Sequence, residues 1–198
     1  MAPPIVGQLL KMRLLTSAAL FLSLAFQTPA QAAGIAIDAQ NSSMTVYVDK
    51  KGLFSFLADN HVIDVPIAEG AYDAAAQTVE LTIDAAALNV RDPQLSADRR
   101  AQVQAAMTGA KVLDAKRYPT ITFRSTQIER KGSRLKVLGN LSLHGQTHPI
   151  VVSAREIDPM HFTGSATIRQ TDFGITPIKV VGGAVSVRDD VKIEFRIA

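Results

Sequence analysis

Four histidines, His61, His144, His148 and His161, are the side chains of this sequence best able to hold a metal or move a proton near neutral pH. His144 and His148 are four residues apart, a spacing that brings two imidazoles together only on a helix. Here they flank Gly145-Gln146-Thr147, which reads as a turn between two strands. They are expected to be exposed turn residues, not metal ligands. Asp189 and Asp190 are neighbours, and neighbours along an extended backbone point to opposite sides. That geometry does not suit a general acid/base pair. No serine sits in a nucleophile-elbow pattern, and Gly182-Gly183 lacks the strand-to-helix context of a phosphate loop. No catalytic set and no metal site are expected.

The elements carrying these residues alternate with period two. Tyr118-Pro119 closes a short helical lead-in, because proline disfavours αR in the residue before it. Thr120 to Ser125 then reads as a strand, Lys131-Gly132-Ser133 as a hairpin turn, and Arg134 to His144 as the return strand. Leu135, Val137, Leu141 and Leu143 share one face of that return strand, and Ile150, Val152 and Ala154 carry it onward. Met44, Val46 and Val48 mark an earlier strand, and Val79, Leu81 and Ile83 another. Val62 to Ile67 is a strand that Pro66 restricts to an edge or a bulge. Phe162, Gly164, Ala166 and Ile168 form one further face, and Val191, Ile193, Phe195 and Ile197 the last.

The rhythm changes between Asp84 and Pro119. Ser96 suits a helix N-cap, Asp98 the positive end of the macrodipole, and Gly109 a C′ position. Leu95, Val103 and Met107 make a narrow apolar stripe, expected of a helix lying over an opening. About eight alternating strands with short turns favour an all-β fold, an eight-stranded antiparallel barrel with a short helical insertion. An open sandwich is the competing arrangement.

Residues 1–32 are expected to be a signal peptide. Lys11 and Arg13 give a charged n-region, Leu14 to Phe26 a short apolar run, and Ala30-Gln31-Ala32 a cleavage site. A membrane-spanning helix needs roughly 20 apolar residues, more than this run supplies. Cleavage after Ala32 removes two cations and no acid, lowering the formal charge of the 198-residue chain from +3 to +1. A nearly neutral chain with interspersed charges excludes nucleic acid as a partner. The sequence has no cysteine, so neither disulfides nor a lipid-modified N-terminal cysteine can contribute.

An eight-stranded barrel either fills with side chains or encloses one small ligand. Small inward residues at Gly139, Ala154, Gly164 and Ala166 leave room for a ligand, or fit a tapering core. Four ordered motifs now bear on that choice. Val112-Leu113-Asp114 with Tyr118 to Ser125, then Leu141 to Ile150, Ile168 to Ile175, and Val187 to Ile193 resemble the YceI-like family over residues 35–198. Leu53 to Ile63 is similar to a branch of that family carrying histidine-aspartate-histidine. Asp59-Asn60-His61 keeps only the second histidine, expected here as a hydrogen-bonding residue at the barrel mouth.

The resemblance implies a lipocalin-like barrel, residues 33–198, that is periplasmic, and the lack of a catalytic set leads to the expectation of a non-catalytic, cofactor-free protein. It implies a polyisoprenoid or similar amphiphilic lipid, an isoprenoid quinone or a prenyl phosphate, held in the interior. Candidate lipid contacts from the alternation are Leu81, Phe123, Val137, Leu141 and Phe162, with Phe54, Phe56, Met107 and Phe173 at the mouth and lid. The helix would cap one end, with Met107 and Leu113 on the tail and Arg91 near the head group. Such a carrier would touch a membrane transiently, and both a monomer and a dimer stay open. The alternative is a stress-related or structural module with a filled barrel and no ligand.

Overall fold

Strand propensity and alternation give a single antiparallel sheet in the computed structural model, which describes residues 34–51, 60–73, 75–180 and 184–198. In chain order its strands are β1 (Ile35–Ala36), β2 (Ser43–Lys51), β3 (His61–Asp64), β4 (Glu69–Asp73), β5 (Thr78–Asp84) and β6 (Asn89–Val90). A helix, α1 (Ala97–Thr108), intervenes. The remainder are β7 (Thr120–Lys131), β8 (Arg134–Leu143), β9 (Gln146–Asp158), β10 (His161–Arg169), β11 (Lys179–Val180) and β12 (Val185–Ile197). Their order across the sheet is β1-β4-β5-β7-β8-β9-β10-β12-β2-β3-β6, with β11 beside β12.

The expected count of eight is therefore corrected to twelve strands among the described residues. Three of the additional strands, β1, β6 and β11, are only two residues long. Another, β4, follows the expected Val62–Ile67 strand, which ends at Asp64 ahead of Pro66, a residue with no N–H for a ladder. Before it, Val65 N–H donates to Met44 O of β2, and after it Ala68 N–H donates to Thr82 O of β5. The segment thus changes partners at its proline.

The β7-β8-β9 meander sets the inner face. Phe123 pairs with Leu141, and Val137 with Val152, so the residues expected to face inward do so. The first turn places Gly132 at φ 60°, as a two-residue hairpin loop opening on glycine requires. The second uses His144 at φ 51° and Gly145 at φ 74°, both left-handed, which matches the twist of the flanking strands. It lies one residue earlier than expected, so Gln146 and Thr147 already belong to β9. Between Ser125 and Gln127 a bulge inserts Thr126. An extra residue reverses parity, so the inward side chains of β7 change from odd to even numbers beyond it.

Helix α1 begins as expected: the Ser96 hydroxyl accepts from Arg99 N–H, and Asp98 lies in the first turn. Its end differs, because Gly109 is extended (φ −74°, ψ 171°) and not left-handed. Gln104 ties the helix to the segment before it. Its Nε2 donates to Leu88 O at 2.7 Å, and its Oε1 accepts from Val90 N–H at 2.8 Å. Met107 is the buried residue of the helix and joins the core with Leu88, Leu113, Ile121 and Leu143. After β10, a 3-10 turn (Gln170–Phe173) is held by Asp189, whose carboxylate accepts from both Thr171 N–H and Thr171 Oγ1–H.

Candidate functional site

The inner faces of these strands bound an apolar cavity of about 340 Å³. Leu81, Phe123, Val137, Leu141 and Phe162 line it from the sheet, and Met107 and Leu113 from the helical region. Among the described lining residues only Asp38 and Arg130 have side chains that carry a charge at neutral pH. The two ends of the cavity differ. Beside α1 its wall is buried, with Met107 and Leu113 each 7% exposed. At the other end lies the β7–β8 turn, and Ile35 lines the cavity while 52% exposed.

The cavity is accessible at the rim remote from the helix, so the expected arrangement of lid and head-group residue needs correction. Arg91 does not line the cavity. It follows buried Val90 and precedes buried Asp92, so alternation turns it outward, where it pairs with Asp64 at 3.5 Å. Phe173 is also elsewhere. It is buried beside a second, smaller recess, stacked edge-on against His148, and its carbonyl accepts from His144 Nδ1–H at 3.0 Å. His144 is accordingly half-buried and bonded, against the expectation of a free turn residue. Phe54, Phe56, the Gly182-Gly183 pair and residues 1–32 lie outside the described residues.

The expected room above the small inward residues is partly taken. A Cβ added to Gly139 would stand 2.5 Å from the Phe123 ring, and one on Gly164 would stand 2.4 Å from the Phe195 ring. The glycines seat aromatic rings. Ala154 and Ala166 line the cavity itself.

Three polar features escaped the sequence. His61 Nδ1–H donates to Asp92 Oδ2 at 2.6 Å, and Val62 N–H donates to Asp92 Oδ1 at 2.7 Å. Since a carboxylate only accepts, Nδ1 carries the proton, and His61 has the hydrogen-bonding role expected of it. Neither residue lines the cavity, however. At the exposed rim, Asp38 folds into an Asx-type turn. Its carboxyl is held below the usual carboxylate range by the Asn41 amide, then by the Asn41 and Gln40 N–H groups. Arg130, on the same rim, forms an ion pair with Glu156. The bulge hid Arg130, since alternation counted from Phe123 turns it outward. Ile128 restarting the apolar pattern on an even number was the available signal. Among the described residues no cluster of three potential ligands could hold a metal ion.

An antiparallel sheet curled over an apolar cavity is the architecture implied by the four motifs, and residues 36–198 match the YceI-like domain. The chain belongs to the YceI-like family. A UPF0312 protein of Vibrio cholerae is 33% identical to it over 139 residues, 64% of this chain and 68% of that protein. The YceI-like fold is shared with two solved structures. Burkholderia cenocepacia BcnA is 21% identical with a TM-score of 0.56, covering 81% of this chain and 98% of BcnA. A polyisoprenoid binding domain from Saccharophagus degradans is 14% identical with a TM-score of 0.59, covering 83% and 97%.

Proposed function

We propose that this YceI-like protein is a non-catalytic carrier that holds the tail of a polyisoprenoid or similar amphiphilic lipid in its cavity. The observation that carries this reading is the apolar space of about 340 Å³, reached from an exposed rim that bears its charged groups. Ligand cavities run to roughly 300–1,000 Å³. Burying roughly 500 Å² of tail at about 25 cal/mol/Å² contributes on the order of 12 kcal/mol gross, which ordering costs reduce. An apolar tube reads a tail by shape and not by pattern, so discrimination must come from the rim. The polyisoprenoid binding domain of similar fold supports the same class of ligand. The filled-barrel alternative has no comparable support, because its interior would be packed.

The sheet is read as closing into a barrel, with β3 and β4 forming one stave bent at Pro66. The hydrogen bonds Val65 N–H to Met44 O and Ala68 N–H to Thr82 O, both 2.9 Å, support this by joining that stave to β2 and β5. Residues 1–32 are read as a signal peptide, which puts the carrier in the periplasm. One experiment tests these readings together: mass spectrometry of protein recovered from the periplasm of a lipid-containing host. Denatured protein should have the mass of a chain starting at Ala33, within a residue or two. The native spectrum should add one lipid per chain. Native protein without an adduct overturns the carrier reading, a retained residue 1–32 segment overturns the cleaved signal peptide, and absence of the protein from the periplasmic fraction overturns the compartment.

A further inference from the structure

We propose that Glu156 makes the cavity selective for lipids with an uncharged polar head, by neutralising Arg130, the one cation among the described lining residues. The inference rests on the lipid-carrier reading and deepens it to the chemistry of the head group.

Arg130 faces the cavity because of the bulge at Thr126, which turns Ile128 and Arg130 inward. It pairs with Leu135, which pairs in turn with Ala154, so all three stand at one level of the rim. Glu156 is two residues beyond Ala154 and therefore on the same face of β9. Its backbone N–H donates to Ser133 O at 2.8 Å, fixing the strand beside the turn. The Arg130 Nη1–H donates to Glu156 Oε2, and the pair spans β8 above Leu135. Arg134 and Arg155 stand directly opposite each other next to these residues. They occupy the alternate, outward positions and are exposed, so they do not line the interior.

The charges at the opening then decide between two kinds of head. An anionic phosphate meets Arg130 already paired, and Asp38 as the other charged side chain of the lining. To gain the guanidinium it must displace Glu156 and leave that carboxylate beside itself. A hydroxyl or carbonyl oxygen needs no displacement. The guanidinium has five N–H donors, and the Glu156 pair occupies one of them, leaving others free to donate to an uncharged oxygen. Selectivity of this kind acts by penalising the wrong partner.

The test compares geranylgeraniol with geranylgeranyl phosphate, two probes with one tail and different heads. Each displaces a neutral naphthylamine fluorophore from the delipidated protein. The alcohol should bind at least about tenfold more tightly than the phosphate at low salt. Glu156→Gln should tighten the phosphate by about tenfold and leave the alcohol within about twofold. Adding Arg130→Gln to that variant should return the phosphate to its wild-type affinity, which identifies the freed guanidinium as the cause. A wild-type protein that binds the phosphate as tightly as the alcohol overturns the proposal by itself, whether or not the variants fold. So does an E156Q protein with an unchanged ratio. If neither probe displaces the fluorophore, the lipid-carrier reading fails and takes this inference with it.

Discussion

Asp92 is fully buried, and both of its oxygens accept, one from His61 Nδ1–H and one from Val62 N–H. The backbone beside it is tied in as well, with Arg91 N–H donating to Val62 O at 2.9 Å. One carboxylate therefore anchors the start of β3 to the chain that leads into α1. Replacing it by alanine leaves two donors without their acceptor, at about 1–3 kcal/mol each where water cannot reach. Asp92→Ala is expected to lower the unfolding free energy by about 3 kcal/mol, measured by urea denaturation under circular dichroism. A loss below about 0.5 kcal/mol would mean that solvent replaces the carboxylate and the anchor carries no weight. The sequence marks His61 as a hydrogen-bonding residue but nothing in it points to Asp92, which is 31 positions away and lies in no motif. Only the fold brings them together.

Local patterns carry information about elements, and α1 shows how far that reaches. Ser96, Asp98 and the change of period located the helix, since capping and periodicity are properties of adjacent residues. Its placement is a tertiary matter, settled by Gln104 reaching Leu88 and Val90 and by Met107 entering the core. The inner face of β7-β8-β9 was legible for the same reason as the caps: Phe123, Val137 and Leu141 sit in unbroken alternation. That legibility stopped at Thr126, where one inserted residue reversed the face and concealed the rim charge. With one buried side chain and three side-chain hydrogen bonds to the preceding segment, two from Gln104 and one from Arg100 to Leu95 O, α1 should open at lower free energy than the meander. Native-state hydrogen exchange should show Gln104 to Thr108 amides exchanging by local opening, while those of β8 require global unfolding. Equal protection in both would make α1 part of the cooperative core.

At the scale of the molecule, stability and binding draw on one interior. The chain has no cysteine, so its core must hold the fold without disulfides. Yet the same inner faces leave a space of about 340 Å³ free of side chains. Val152 lines that space, half-buried and directly opposite Val137. A phenylalanine there would project further inward. In a packed interior the added bulk forces neighbours off their rotamers at about 1–3 kcal/mol. In a hollow one it fills space, gains contacts and takes the room of the lipid tail. Val152→Phe is therefore expected to leave the delipidated protein within about 0.5 kcal/mol of the wild type and to abolish lipid retention. Urea denaturation of the delipidated protein and native mass spectrometry of protein purified without delipidation read the two effects separately. A loss of stability with lipid still bound would place the ligand elsewhere, and a loss of neither would show that the tail does not reach β9.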